Sequence, residues 1–184
     1  VTDAAFNTTR SLTQSAGTIT FGSGTTTIGA SFIATGGAFT MPGTGIAFVS
    51  SSTGNTVRFD DATVPALYFT GAGGAWSMTD TNATTTGSFI ISNTGTVTLP
   101  SGALAVGGSF TNASGTVTHN TADLYMTSAT DASITTRGSD LFALRKTGAG
   151  TISITDVSAT FRDDVAVTLG TLVSATNTLS VGGS

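Results

Sequence analysis

The sequence predicts an all-β chain wound as a parallel β-solenoid, and three observations predict it. The first is composition. Threonine is the commonest residue, with 40 copies, glycine adds 24, glutamate is absent and Lys146 is the only lysine. Helix surfaces draw on Glu, Lys, Leu and Arg, whereas Thr, Val, Ile and Phe separated by Gly, Asn, Asp and Ser are strand and turn material. The second is internal repetition. Gly95 to Phe110 reads GTVTLPSGALAVGGSF, returns as GTITFGSGTTTIGASF from Gly17 to Phe32, and again as GTLVSATNTLSVGGS from Gly170 to Ser184. The period is about 77 residues, and units that cannot each bury a face stack to share one core. The third is the recurrence of Phe21, Phe32, Phe39, Phe48, Phe59 and Phe69 at near-regular spacing, as interior stacks of a coiled ribbon require.

Taken in order, Val1 to Ser15 is polar and irregular, with a weak strand near Ala4-Ala5-Phe6. Short alternating runs follow: Thr18-Ile19-Thr20-Phe21, Thr25-Thr26-Thr27-Ile28, Ser31-Phe32-Ile33-Ala34, Ala38-Phe39-Thr40-Met41, Ile46-Ala47-Phe48-Val49 and Thr56-Val57-Arg58-Phe59. The connectors Gly22-Ser23-Gly24, Thr35-Gly36-Gly37, Pro42-Gly43, Thr53-Gly54-Asn55 and Asp60-Asp61 supply positive φ or a side-chain cap to tight turns. The second half continues with Thr96-Val97-Thr98-Leu99, Ala103-Leu104-Ala105-Val106, Thr116-Val117-Thr118, Leu124-Tyr125-Met126, Ile152-Ser153-Ile154 and Val165-Ala166-Val167. No helical periodicity and no linker interrupts this, so one repetitive domain is expected, with repeat phases 1–31, 32–109 and 110–184. Three strands in a coil of about 25 residues give about seven coils and a length of about 34 Å. The competing architecture is a β-sandwich completed by a strand donated from Ala4 to Thr9, but a single sandwich has no reason to repeat at this period.

Charged residues are only 9%, the net charge is −4 and the pI is about 4.4. The six basic residues are scattered, so the footprint that nucleic-acid binding requires is missing. Without cysteine there are no disulfide staples, and no apolar run is long enough to span a membrane as a helix.

Few residues carry chemistry. His119, the only histidine, follows a strand and has no Ser–His–Asp or metal set around it by spacing, so it reads as a surface or turn residue. Asp3, Asp80 and Asp156 share one phase of the repeat, each after threonine. They read as Asx turns ahead of calcium ligands, since the glycine–aspartate nonapeptide is missing. No cofactor is expected; calcium is the one ion in question, and Asp60, Asp61, Asp163 and Asp164 are its candidate ligands. Trp76 and Tyr68 read as packing residues before sugar platforms. The Thr-x-Thr strands resemble the flat faces of ice-binding solenoids, but threonine in a strand is first of all β-propensity. An enzyme is not expected: a solenoid lyase or hydrolase needs clustered acids and bases, and the chain has no Glu, one His and one Lys.

Val106-Gly107-Gly108-Ser109-Phe110-Thr111-Asn112-Ala113-Ser114-Gly115-Thr116-Val117-Thr118, and Leu141-Phe142-Ala143-Leu144-Arg145-Lys146-Thr147-Gly148-Ala149-Gly150-Thr151-Ile152-Ser153-Ile154, resemble the units of bacterial β-strand-repeat surface proteins. The resemblance implies a secreted, repetitive adhesin or surface fibre with a parallel β-solenoid fold, and it supplies no catalytic residues. His119, where that family tends to have Phe, and the stretch Asn55 to Trp76 depart from the pattern. The expected role is therefore an extracellular or cell-surface filament. Its partner is itself, joined head to tail through Val1, Thr2, Asp3, Leu179, Val181, Gly182, Gly183 and Ser184, where the first and last repeat copies share one phase. An adhesin module that binds glycan is the alternative, and an ice-binding face a more distant one.

Overall fold

The computed structural model describes residues 5–41, 43–92, 94–175 and 178–182. Each strand is only two to four residues long, and every pairing joins parallel strands about one coil apart in sequence. Parallel neighbours need a crossover, and here the crossover is the rest of the coil. The chain is thus a parallel β-solenoid with up to three strands per coil, one on each of three faces.

Face 1 is a ladder of nine strands, from Asn7–Thr8 in coil 1 to Thr171–Ser174 in coil 9. Face 2 holds six strands, Leu12–Gln14 to Thr116–Thr118, then a gap, then Ser158–Phe161 paired with Thr178–Val181. Face 3 holds Thr18–Thr20 with Ala38–Thr40, and then six strands from Thr63–Val64 to Val165–Val167.

The winding agrees with the sequence expectation, and the coil count corrects it. There are nine coils instead of about seven, because a coil is shorter than 25 residues. On face 1 the register advances 20 residues from Thr26 to Ile46, 22 from Leu67 to Phe89 and 24 from Phe110 to Ile134. Corners turned by a single glycine or by one pair of left-handed residues need few residues, and eight axial steps of about 4.8 Å give about 38 Å.

The 77-residue repeat is not the structural period. Thr18–Thr20, Thr96–Thr98 and Thr171–Ser174 lie on faces 3, 2 and 1 respectively. What recurs is a strand–corner–strand unit usable at any of the three corners. Its glycine explains the motif. The N–H groups of Gly29, Gly107 and Gly182 donate to the carbonyls of Thr8, Thr85 and Phe161 one coil back, at 2.7, 2.8 and 2.7 Å. A Cβ at any of the three would collide with the backbone of Thr9, Thr86 or Arg162. The first and last copies therefore share letters but not a face, which removes the equal-phase argument for end-to-end continuation.

The core is a set of axial columns. On face 1 one column runs Ile46, Leu67, Phe89, Phe110, Ile134, Ile154, all buried. Beside it, Ile28, Phe48, Phe69 and Ile91 run into Asn112. Phe48 stacks on Phe69 at 5.0 Å and Phe89 on Phe110 at 5.4 Å. Phenylalanines roughly half a coil apart in sequence therefore lie on different sides of the coil, and those in register one coil apart stack. Trp76 is 1% exposed, a packing residue as expected.

Candidate functional site

Corners pause the ladder and strand backbone groups, and polar side chains from the adjacent coil fill the vacancies. Two kinds of cap recur. Carboxamides cap carbonyls: the Gln14 amide donates to the carbonyls of Gly17 and Ala38 at 3.2 and 2.8 Å, and the Asn55 amide to those of Ser52 and Ala75. Carboxylates cap N–H groups. Asp80 accepts from the N–H groups of Phe59 and Asp60 at 2.6 and 3.0 Å, and Asp156 from those of Thr136 and Arg137 at 2.5 and 2.8 Å. The repeated aspartate is therefore a clamp between coils, and not an Asx turn closing its own strand. Asp3, the third member, lies outside the described residues. Burial pushes the Asp80 carboxyl above its ordinary value, with those two N–H bonds opposing the shift.

The candidate calcium ligands do not converge. Asp60 and Asp61 form a left-handed corner, with φ of 54° and 62°, closed by the Ala62 N–H on the Phe59 carbonyl. Asn120 and Thr121 repeat that corner three coils on. Asp60 pairs with Arg58 at 3.2 Å, and Asp164 with Arg145 at 3.4 Å. Asp163 donates its N–H to the Phe142 carbonyl. Among the described residues no group of three or more His, Cys, Asp or Glu is placed to hold a metal ion. Of the expected assembly residues, Val1, Thr2, Asp3, Gly183 and Ser184 also lie outside the described residues. Leu179 packs against the core in coil 9, Val181 is half exposed, and Gly182 is bonded to its own preceding coil.

The outer side of face 2 carries two axial files of small side chains, polar but for one alanine. Thr56, Ser77, Thr98 and Thr118 are in register over coils 3 to 6, and Ala75, Thr96 and Thr116 run alongside. The files stop where coil 7 omits its face 2 strand. There the chain leaves face 1 through Arg137 and Gly138, both with positive φ, and its one strand-like contact with face 2 among the described residues is the bridge of Leu141 with Phe161. The missing strand leaves an open cleft of about 670 Å³, walled by Thr118, His119, Arg137, Ser139, Asp140 and Arg162 among others.

The ground under this cleft is polar. The Ile28–Ile91 column continues as Asn112 in coil 6 and Thr136 in coil 7, both fully buried. The Asn112 amide donates to the carbonyls of Gly115 and Thr136 and to Ser139 Oγ, at 3.1, 3.0 and 3.3 Å. Ser139 Oγ in turn accepts the Val117 N–H at 3.3 Å, standing in for the absent strand. Asn112 Oδ1 and Thr136 Oγ1 are left without a partner. Arg162 pairs with Asp140 at 2.5 Å, and Arg137 makes no ion pair among the described residues. His119 stacks on Phe142 with centroids 5.8 Å apart, and its Nδ1 accepts the Thr121 N–H. Little in the letters marks this place, because it is made by a strand that fails to form. The one available signal was His119 standing at a position where Phe was expected.

Set against known protein families, curated proteins and solved structures, the chain matches none.

Proposed function

We propose that this chain is a structural segment of an extracellular filament or surface fibre. Its coils would be continued along the axis by further coils of the same polypeptide or by a neighbouring copy. One observation carries the reading: the face 1 ladder runs through nine successive coils without a break. Its terminal strands, Asn7–Thr8 and Thr171–Ser174, each have one edge with no partner strand among the described residues. An open parallel edge is a template for another strand, and a rod held by axial hydrogen bonds resists extension along that axis. Coil 9 also exposes an apolar side chain of the kind inner coils cover: Val181, in register with fully buried Phe161, is 49% exposed. Electron microscopy and fibre diffraction of the concentrated 184-residue chain test the reading. The expected result is filaments with an axial repeat near 4.8 Å; discrete short particles at every concentration would sink head-to-tail assembly.

A second reading, a module that holds glycan at a cell surface, is favoured by the polar cleft in coil 7. A glycan array separates the two, because a purely structural rod gives no selective signal.

A further inference from the structure

We propose that the coil 7 cleft is a binding site for a carboxylate-bearing sugar, a uronate residue of an acidic saccharide. The proposal rests on the binding-module reading for its ligand class and adds the chemistry of recognition.

Three features distinguish the cleft from a mere gap. First, the protein interrupts its own core to build it. A column that is Ile, Phe, Phe and Ile through coils 2 to 5 becomes Asn112 and Thr136 directly under the opening. Both are fully buried, and each keeps one polar atom unpartnered. Such atoms are costly, and a structure that retains two of them together calls for an explanation. Polar ground that holds Gly115 and Ser139 in place supplies it.

Second, Arg137 is held in a conformation that its side chain disfavours. Its φ is 52°, and the Asp156 carboxylate locks the turn by accepting the N–H groups of Thr136 and Arg137. Strain at a branched-out cationic residue is retained where surrounding structure imposes it, and such positions concentrate at ligand sites. The other basic side chains of the second half are committed: Arg145 to Asp123 and Asp164, Arg162 to Asp140, Lys146 to the Gly148 carbonyl. Among the described residues Arg137 alone of these arginines has no ion-pair partner, which leaves its planar fork of donors available, and that fork matches a carboxylate with two parallel hydrogen bonds.

Third, the surroundings suit a sugar ring. Hydroxyls of Thr116, Thr118 and Ser139 line the cleft together with the His119 ring, which is backed by the stacked ring of Phe142. The axial file of Thr56, Ser77, Thr98 and Thr118 leads into it along face 2, giving a saccharide chain a hydroxyl-bearing track. An open cleft bounded by a flat face admits the interior of a polymer as well as its end.

The test is titration of the 15N-labelled 184-residue chain with three probes: a linear uronate trisaccharide, its neutral methyl ester, and acetate. The trisaccharide acid is expected to shift the amides of Gly115 to His119 and of Arg137 to Asp140. The ester and acetate are expected to bind at least tenfold more weakly. Arg137→Gly removes the guanidinium and relieves the positive φ, so it should melt no lower than the parent while losing at least tenfold in affinity for the acid. Equal binding by acid and ester at these amides overturns the uronate assignment and leaves a glycan module standing. Acetate binding as well as the trisaccharide overturns the saccharide assignment. Full affinity in Arg137→Gly overturns the role of the cleft, and silence toward every glycan sinks both the proposal and the binding-module reading.

Discussion

Single residues in this fold are judged by their neighbours one coil away, not by their neighbours in sequence. Gly148 has a Cβ position that falls on the carbonyl oxygens of Thr127 and Ser128, backbone atoms with nowhere to go. Gly54 has φ of +77° and open space around it. Gly148→Ala is therefore expected to destabilise by about 3 kcal/mol through overpacking, and Gly54→Ala by about 1 kcal/mol through strain alone. Urea denaturation of the two variants checks the order; equal losses would mean that coil spacing is looser than the ladder implies. Asp80 makes a sharper case because it titrates. Burial raises its carboxyl in the folded chain, so the unfolded chain gives up that proton first. Between the ordinary and the raised value the native state holds more protons. Stability from this group is then fully present below that window and is lost as pH rises through it. Asp80→Asn should flatten the slope. It should also cost about 2 kcal/mol, since a carboxamide cannot accept both the Phe59 and Asp60 N–H groups without turning its NH₂ toward one of them. Unfolding curves recorded across the acid range measure both effects.

Strands behave as rungs, and the rung Ala143–Lys146 on face 3 carries the most unusual inward residue. Lys146 sits in register between Met126 and Val167, fully buried, with its ammonium donating to the Gly148 carbonyl and no ion pair among the described residues. Burial lowers its proton affinity in the fold. In the window between the lowered and the ordinary lysine value the unfolded chain binds more protons, so stability rises with pH there. Lys146→Met should abolish that alkaline rise while leaving the far-UV spectrum unchanged; a rise that survives the substitution would place its origin elsewhere. This residue also shows what was legible at the scale of elements. Alternation in Thr96-Val97-Thr98 and Ala103-Leu104-Ala105-Val106 gave the strands and their inward sides, because a pleat puts every second side chain on one face. Coil length was not legible, since it depends on corners of unequal size. Five residues separate Met126 from Ala132, where Gly87 and Ser88 with Thr86 suffice two coils earlier between Thr85 and Phe89. The cleft was illegible for a related reason: Arg137-Gly138 reads as one more turn, and only register shows that it replaces a strand. Asp80 and Asp156 were visible as a pair of like residues, but their partners lie about 20 residues back, beyond any local turn rule.

At the scale of the whole molecule, stability is close to a sum of coils and of interfaces between coils, because each coil touches chiefly its two neighbours. Interior coils are covered on both sides, and their inward residues Leu67, Phe89, Phe110 and Leu124 are at most 1% exposed. Coil 9 is covered on one side, and its Val181, in register with fully buried Phe161, is 49% exposed. Opening free energies of backbone amides should then form a gradient. They should be highest in the face 1 strands from Leu67–Phe69 to Phe110–Asn112 and lowest in Thr171–Ser174 and Thr178–Val181. Hydrogen exchange on the 184-residue chain at low concentration measures that gradient, and uniform protection would mean that the rod opens only as one unit. The same amides report on the fibre reading. If a second copy stacks on coil 9, protection of Thr171–Ser174 must rise with protein concentration while that of the central coils stays fixed, because association stabilises only the rungs it covers. If the end coil instead exchanges at the same rate over a hundredfold range of concentration, the exposed edge is not a docking surface for another copy of this chain. Axial continuation would then have to come from the polypeptide itself.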